Sequence, residues 1–242
     1  MQKLDDVASK YFQGPDLEIE NNLIMSWYPR RIALRTGPVK RCLELGLGHG
    51  YTVRSFQDLA EEHAVVEGSR LVIEHFLGSN PWFSGEIIEG YFETYEPEGR
   101  FDLIVMGFVL EHVENPVAIM NRYRQFLAPA GRLFVAVPNA KSLNRRLGLE
   151  MGMISDIYAL NATDHKLGHK RNYCRETLAA DSHAAGFQIV HQEGIYLKPL
   201  PLGILRNLDD MEANLNAMLN VGVDYPDLCV ALLFELSQQN HE

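Results

Sequence analysis

Residues 43–50 of this 242-residue chain read Leu-Glu-Leu-Gly-Leu-Gly-His-Gly, and this stretch decides the fold that the sequence predicts. An apolar run ends in three alternate glycines, and a helical pattern begins directly after them at Tyr51. Glycines allow unusual backbone angles and the close approach of a ligand, and the helix behind them presents unpaired N–H groups. A strand that enters a helix through such a turn is predicted to bind a nucleotide-like ligand.

The spacing of the glycine turn narrows the choice of ligand. Gly46, Gly48 and Gly50 form a G-x-G-x-G pattern, whereas the dinucleotide fingerprint G-x-G-x-x-G needs its third glycine at the position of Tyr51. Glu44 lies just before the turn, where a carboxylate attracts an ammonium group and repels a pyrophosphate. The turn therefore disfavours NAD(P), although an NAD(P)-dependent reductase stays the alternative enzyme on this evidence.

Composition and charge are those of an ordinary globular protein, and the length suits one domain. Apolar residues make up 46% and charged residues 22% of the chain, and the net charge is −10. Such an acidic chain lacks the basic footprint of a nucleic-acid-binding protein. The sequence shows no charged-then-apolar leader, no long apolar span and no closely spaced cysteines. We therefore expect a cytoplasmic protein with reduced thiols, no metal centre and no membrane contact.

Five apolar segments alternate with helical patterns and predict a parallel α/β sheet with right-handed crossovers. The predicted strands lie at residues 41–45, 63–67, 86–89, 101–106 and 132–138, with helices at 51–62, 71–77 and 117–127. Ligands of such sheets bind beyond the carboxyl ends of the strands. The segments expected to meet there are the glycine turn, Glu67, residues 90–93, residues 107–112 and Pro138-Asn139.

Two further motifs follow the glycine turn in the chain. Residues 101–113 read Phe-Asp-Leu-Ile-Val-Met-Gly-Phe-Val-Leu-Glu-His-Val, and residues 127–133 read Leu-Ala-Pro-Ala-Gly-Arg-Leu. They resemble the strand-four signature and the turn into strand five of the class I S-adenosylmethionine (SAM) dependent methyltransferases, with Ala130 in place of a glycine. The glycine turn with Glu44 resembles motif I of the same family. Together the motifs cover about residues 40–140 and are most similar to those of small-molecule members of quinone and natural-product pathways.

The resemblance implies a Rossmann-like sheet of seven strands, the last one antiparallel, that binds SAM and releases S-adenosylhomocysteine. Glu67 is expected to accept hydrogen bonds from both ribose hydroxyls. Tyr91 or Phe92 is expected to stack on the adenine ring, with core packing as the alternative role. The complete set of expected cofactor-binding residues is Glu44, Gly46, Gly48, Gly50, Glu67, Gly90, Tyr91, Phe92 and Gly107.

Around this core we predict three further segments. Residues 1–36 form two helices broken at Gly14-Pro15, a lid that packs on the sheet or closes over the cofactor. Residues 37–139 form the SAM-binding core, residues 140–174 a cap, and residues 175–242 the C-terminal half of the sheet. This last part has helices at 175–185 and 208–219 and strands at 187–193 and 225–236. Candidate pocket residues in the lid are Tyr11, Phe12, Trp27 and Tyr28.

The cap carries basic residues that are expected either to bind a carboxylate or phosphate on a small-molecule acceptor or to form a solvated face. They are Lys141, Arg145, Arg146, Lys166, Lys170 and Arg171. A long irregular insert in a compact domain is usually functional. The predicted reaction is transfer of the SAM methyl group to an O or N atom of this acceptor.

Three histidines are the candidate general bases, which the reaction needs only if the nucleophile is a hydroxyl or a protonated amine. They are His112 after strand four and His165 and His169 in the cap. Glu111 and His112 alternatively hold the cofactor or begin a helix. A metal pair of His165 and His169 is disfavoured, because Gly168 weakens a helix there and no H-E-x-x-H motif is present. A structural loop, and a SAM-fold protein without catalytic activity, stay open as alternatives.

Overall fold

A computed structural model describes residues 15–205 and 207–239, and a seven-stranded sheet lies at the centre of this part. The strands run in the spatial order β3-β2-β1-β4-β5-β7-β6. β7 pairs antiparallel with both β5 and β6, and the other neighbouring strands are parallel. The predicted fold class is thereby confirmed. The bounds are β1 Val39–Leu45, β2 Ala60–Glu67, β3 Glu86–Glu89, β4 Phe101–Gly107, β5 Leu127–Pro138, β6 Phe187–Ile195 and β7 Ala231–Gln238.

Helices cover both faces of the sheet because side chains alternate between the faces along each strand. Leu43 and Leu45 of β1 face one cluster that includes α4 and α7, whereas Cys42 faces a second cluster built with α1, α2, α8 and α9. None of the helices in the described residues is long and apolar enough to cross a bilayer. Their bounds are α1 Pro15–Thr36, α2 Val53–Leu59, α3 Arg70–Ser79, α4 Pro116–Arg124, α5 Leu143–Glu150, α6 Ala162–Lys166, α7 Arg175–Ala184, α8 Leu202–Leu205 and α9 Met211–Gly222.

The predicted helix over residues 51–62 is wrong in its last turn. α2 ends at Leu59, and Ala60 already pairs with Val39 as the first residue of β2. The first residues of β1 pair with residues 60–62, so the backbone groups of these residues bond in a sheet. This long-range pairing overrides their helical tendency. Residues 128–131 likewise belong to β5 instead of ending a helix.

The predicted last strand over residues 225–236 begins too early. Residues 225–230 turn back on themselves, with Tyr225 N–H donating to Gly222 O at 3.1 Å and Leu228 N–H donating to Tyr225 O at 3.0 Å. Turn hydrogen bonds and isolated long-range bonds, such as that of Val230 N–H to Tyr196 O at 3.0 Å, therefore replace a sheet ladder until Ala231. The apolar residues before that point resemble a strand only in composition.

The lid contains one long helix in the described residues. Pro15 is its first residue and Gly37 ends it at φ +64°, with Gly37 N–H donating to Ala33 O at 2.9 Å. A proline is tolerated at a helix start and a glycine suits a helix end. Tyr11, Phe12 and the predicted break at Gly14 lie outside the described residues.

Ion pairs fix α1 to the antiparallel edge of the sheet. The Arg31 guanidinium donates two hydrogen bonds to the Glu193 carboxylate on β6, at 2.8 and 2.9 Å, and this carboxylate is 1% exposed. One turn later Arg35 binds Glu235 on β7. α1 thus supplies a counter-charge to two buried carboxylates of the sheet, and Arg132 of β5 supplies a second one to Glu235 at 3.2 Å.

We expect Arg31→Ala to lower the free energy of unfolding by about 3 kcal/mol, because it leaves a buried carboxylate without its bidentate partner. Urea denaturation would measure the loss. Arg70→Ala removes an equally sized side chain whose ion pair with Glu74 is exposed, and it should cause no measurable change. Equal effects of the two substitutions would contradict the anchoring role of Arg31.

Candidate active site

The glycine turn at the carboxyl end of β1 requires glycine for geometric reasons. Gly46, Gly48 and Gly50 have φ angles of +85°, +51° and +75°, which side chains rarely adopt. Gly46 N–H donates to Val66 O at 2.8 Å, which holds the turn to β2. A Cβ atom on Gly50 would lie 2.5 Å from the Phe76 ring, so α3 packs directly on the turn.

Glu67 at the end of β2 binds the backbone of the turn. Its carboxylate accepts hydrogen bonds from Leu47 N–H at 2.9 Å and from Ser69 N–H at 2.7 Å. Burial raises the pKa of Glu67, and these backbone N–H groups oppose the rise. Because each carboxylate oxygen can accept more than one hydrogen bond, ribose hydroxyls can still bind it. The turn and the predicted ribose acid are therefore one connected unit.

The loop after β3 borders the same turn. Gly90 N–H donates to Glu67 O at 2.9 Å, which brings the two strand ends together. The Phe92 ring lies 3.8 Å from the position that a Cβ atom on Gly46 would take, whereas the Tyr91 side chain is 48% exposed. Phe92 thus contacts the turn through packing, and Tyr91 is open to a ligand or to solvent.

The lid reaches this edge of the sheet through Tyr28. A Cβ atom on Gly107, the last residue of β4, would overlap the Tyr28 hydroxyl. Tyr28 is 2% exposed, and burial followed by the nearby Glu44 carboxylate raises the pKa of its hydroxyl well above the usual value. Of the lid candidates within the described residues, Tyr28 therefore contacts the end of β4, and its role as a pocket residue stays a prediction. Trp27 has a buried indole N–H without a hydrogen-bond partner.

Glu44 makes contacts that the sequence analysis missed. It is 2% exposed, accepts a hydrogen bond from the Thr52 hydroxyl and lies 3.3 Å from Nε2 of His63. These contacts join β1, β2 and the start of α2 beneath the turn. Its expected role in binding an ammonium group stays a prediction.

Three polar side chains meet beyond the end of β4. Glu111, His112 and His169 each offer a ligand atom, and these atoms lie within 4.8 Å of one another. The His112 and His169 rings are edge to face, with centroids 4.7 Å apart. We call these residues the β4 cluster. Glu111 is absent from the predicted catalytic set, although its position in the loop after a buried strand, four residues beyond Gly107, is a signal that points to this edge.

Burial controls the charge of the β4 cluster. Burial raises the pKa of the fully buried Glu111 to about 8. Burial, with a smaller contribution from His169, lowers the pKa of His112 to about 3. Burial also lowers the pKa of His169, against the opposing effect of Asp164. Both imidazoles are therefore neutral at neutral pH, with lone pairs that can accept a proton or bind a cation.

The cap brings His169 to this position. Lys170 N–H donates to Glu111 O at 2.8 Å. The Arg171 guanidinium donates to Leu110 O at 2.7 Å and to Val113 O at 2.6 Å. Two consecutive cap residues thus fix the loop after β4, so that residues 57 positions apart in the chain share one cluster.

The other cap residues predicted to act at the site lie elsewhere. His165 is exposed in α6 and does not belong to the β4 cluster. Lys141 pairs with Glu176 at 3.2 Å, and Arg145 donates to the carbonyls of Ile157 and Ala159. Lys170 pairs with Glu114, and Arg146 and Arg171 donate to backbone carbonyls. Five of the six basic cap residues therefore make contacts within the protein. Their main observed role is to hold the cap together.

A family model described as "Methyltransferase domain" matches residues 19–192, which is more than two thirds of the chain. The chain belongs to this methyltransferase family. Together with the observed fold, the match confirms the prediction of a class I SAM-dependent methyltransferase. The NAD(P)-dependent reductase is therefore set aside. The assignment of individual site residues stays a prediction.

Curated relatives give the same class of enzyme at low identity. The chain is 27% identical over 214 residues to a ubiquinone biosynthesis O-methyltransferase of Burkholderia thailandensis, a match that covers 83% of this chain and 87% of the relative. The enzyme of the same name from Burkholderia pseudomallei is also 27% identical, with the same coverage.

Solved structures share the fold over nearly the whole length. The N-methyltransferase NodS of Bradyrhizobium japonicum, in complex with S-adenosylhomocysteine, has a TM-score of 0.60 at 14% identity, with coverage of 98% of this chain and 96% of NodS. The CcbJ methyltransferase of Streptomyces caelestis has a TM-score of 0.65 at 14% identity, with coverage of 98% and 97%.

Two glycines of the turn should respond differently to alanine. Both substitutions strain a left-handed residue by about 1–2 kcal/mol. Gly50→Ala also displaces the Phe76 ring and should lose at least about 1 kcal/mol more unfolding free energy than Gly48→Ala, whose Cβ meets no atom within 4 Å.

Urea denaturation and calorimetric SAM titration of both variants would check this difference. Gly48→Ala should keep most of its stability and lose SAM affinity, because its Cβ projects into the space that we assign to the cofactor. Equal stability losses in the two variants would show that the packing of α3 on the turn is unimportant.

Proposed function

We propose that this chain transfers a methyl group from SAM to a hydroxyl or amine of a small-molecule acceptor. The observation that carries the proposal is the position of the β4 cluster. It lies beyond the carboxyl end of β4, at the same edge of the sheet as the glycine turn and Glu67. A methyl donor and a polar site for an acceptor thus have adjoining places at one edge.

The donor side of the site follows from the turn. The glycines leave room for close approach of the cofactor, Glu67 binds the ribose hydroxyls, and Phe92 or Tyr91 lies beside the adenine. Tyr28 of the lid lies over Gly107 and closes the site from the other face of the sheet. These roles are our assignments, and the contacts described above support them.

The side chains that we assign to the acceptor side are mostly neutral. Because five of the six basic cap residues are engaged within the protein, the contacts do not favour recognition of an anionic acceptor. The β4 cluster instead offers two neutral imidazoles to an acceptor hydroxyl or amine. The curated relatives, which are named as O-methyltransferases, favour the hydroxyl.

Methyl transfer needs little covalent help from the protein. The acceptor oxygen attacks the methyl carbon in line with the C–S bond, whose electron pair moves to sulfur as S-adenosylhomocysteine leaves. The protein mainly supplies proximity and alignment, and the acceptor must lose its proton. His112 and His169 stay the predicted bases for that proton in this scheme. His165 is exposed in α6 and lies outside the β4 cluster.

The predicted cytoplasmic location remains part of this proposal. Cys42, Cys174 and Cys229 are all free thiols, and each of them is buried. Unpaired cysteines are typical of proteins that work in a reducing compartment.

Calorimetric titration with SAM, S-adenosylhomocysteine and NADH tests the cofactor side directly. We expect binding of the first two at micromolar concentrations and none of NADH, because the turn is spaced for a ligand without a pyrophosphate. Conversion of SAM to S-adenosylhomocysteine with a cell extract as acceptor source then distinguishes an enzyme from a SAM-binding protein without catalytic activity. Binding of NADH alone would contradict the proposed function.

Glu67→Ala should weaken SAM binding at least about 100-fold, because the ribose hydroxyls lose their acceptor and the turn loses its contact with β2. Glu89→Ala is the matched control, since Glu89 is exposed at the end of the neighbouring strand β3 and pairs in register with Glu67. Far-ultraviolet circular dichroism should show a retained fold in both variants. Unchanged SAM affinity of Glu67→Ala would refute the assignment of Glu67.

A further inference from the structure

The β4 cluster contains buried polar atoms that lack hydrogen-bond partners. Neither carboxylate oxygen of Glu111 has a partner outside its own backbone, and Nδ1 of His169 makes no hydrogen bond, although Asp164 Oδ1 lies 3.5 Å from it. Glu111 is 0% exposed, so bulk solvent does not hydrate its carboxyl group. Buried polar groups are nearly always satisfied, and an unpaired buried carboxylate is costly. The unpaired polar atoms of the cluster can therefore bind a further group.

The neighbouring cations do not supply that group. The Arg171 guanidinium acts electrostatically on Glu111, but it donates its hydrogen bonds to the backbone carbonyls of residues 110, 113 and 114. Lys170 pairs with the exposed Glu114. In the described part of the chain, Glu111 thus has no side-chain partner for its carboxylate.

The donor atoms of the cluster match a known coordination chemistry. Two imidazole nitrogens and one carboxylate oxygen are ligands that first-row divalent ions such as Zn²⁺ bind well. Ligand atoms around tetrahedral Zn²⁺ are about 3.4 Å apart. The observed separations of up to 4.8 Å would have to shorten by at most about 1.4 Å, which rotations of the side chains can provide.

Asp164 gives one of the histidines a defined orientation. Its Oδ1 lies 3.5 Å from Nδ1 of His169, and its Oδ2 accepts a hydrogen bond from Asn161 N–H at 2.8 Å. A histidine that binds a metal commonly directs its other ring nitrogen to a carboxylate. With Nδ1 turned to Asp164, Nε2 of His169 is the nitrogen available to the cluster.

We propose that Glu111, His112 and His169 bind one divalent transition-metal ion, with Asp164 as the residue that orients His169. This site differs from the pair of His165 and His169 weighed from the sequence, because the structure groups His169 with residues of the loop after β4. Three protein ligands leave a coordination position open. The ion satisfies the unpaired carboxylate oxygens of Glu111, and Nδ1 of His169 keeps Asp164 as its neighbour.

If the proposed function holds, the open coordination position of the ion suits an acceptor hydroxyl. Coordination lowers the pKa of the hydroxyl, and its proton passes to solvent. The oxygen then attacks the SAM methyl carbon, and the electron pair of the broken C–S bond moves to sulfur. His112 and His169 act as ligands in this scheme, so no protein base is needed.

Metal binding can be measured without activity. The full chain, dialysed against a chelator, is titrated with Zn²⁺ and with Mn²⁺ by calorimetry, and with Co²⁺ by visible absorption. We expect one bound ion per chain and a Co²⁺ spectrum of a nitrogen–oxygen site. His112→Ala, His169→Ala and Glu111→Gln should each weaken binding at least about 100-fold, and Asp164→Asn about 10- to 100-fold. His165→Ala, which removes an exposed imidazole from the same cap, should bind as the wild type does.

The outcomes separate the metal site from the proposed function. Loss of metal binding with retained SAM binding in His169→Ala supports the metal site. Metal binding by a wild-type protein that fails to bind SAM also supports the metal site, but it would refute the proposed function. If Glu111→Gln fails to fold, the two histidine variants still test the site. Absence of a bound ion at millimolar Zn²⁺, Mn²⁺ and Co²⁺, or equal affinity in His165→Ala and His169→Ala, overturns the proposal.

Discussion

The carboxylate of Glu67 holds the glycine turn against β2, and the cofactor edge of the sheet depends on this contact. One residue connects three segments: its side chain binds the backbone of Leu47 and Ser69, and its carbonyl accepts the N–H of Gly90. The Gly46 N–H bond to Val66 O and the packing of Phe76 on Gly50 add to this contact in holding a turn whose glycines all have positive φ. The same carboxylate that is expected to bind ribose therefore also builds the surface on which the cofactor lies.

A second constraint acts from the opposite edge of the sheet. Arg31 and Arg35 attach α1 to buried carboxylates of β6 and β7. This attachment fixes the position along the helix at which Tyr28 meets Gly107. Ion pairs far from the site thus fix the position of Tyr28. Residue 107 must be a glycine because the Tyr28 side chain already fills the space of a Cβ atom.

The fold could be predicted because its signals are local. The G-x-G-x-G spacing indicates three left-handed residues, and apolar runs such as residues 101–106 identify the buried strands. Boundaries failed where a partner strand decided the outcome, as at residues 60–62, which pair with an extension of β1. The β4 cluster could be predicted only in part, since the burial of Glu111 and the proximity of His112 to His169 depend on how the cap folds back. His165 and His169 are equivalent in the sequence, and only the cap geometry distinguishes them.

The β4 cluster has two possible chemical roles, proton acceptance and metal coordination, and Glu111 is the residue that distinguishes between them. Proteins are stable by only a few kcal/mol, so a chain rarely retains a fully buried carboxylate without a partner unless function requires it. If the histidines act only as bases, Glu111 keeps two unsatisfied oxygens and takes no part in the reaction. If they act as metal ligands, the same ion satisfies Glu111, uses the lone pairs of both neutral imidazoles and explains why Asp164 faces His169. The coordination role thus accounts for all the unusual features of the cluster with one ligand, whereas the base role leaves the most costly of them without a cause.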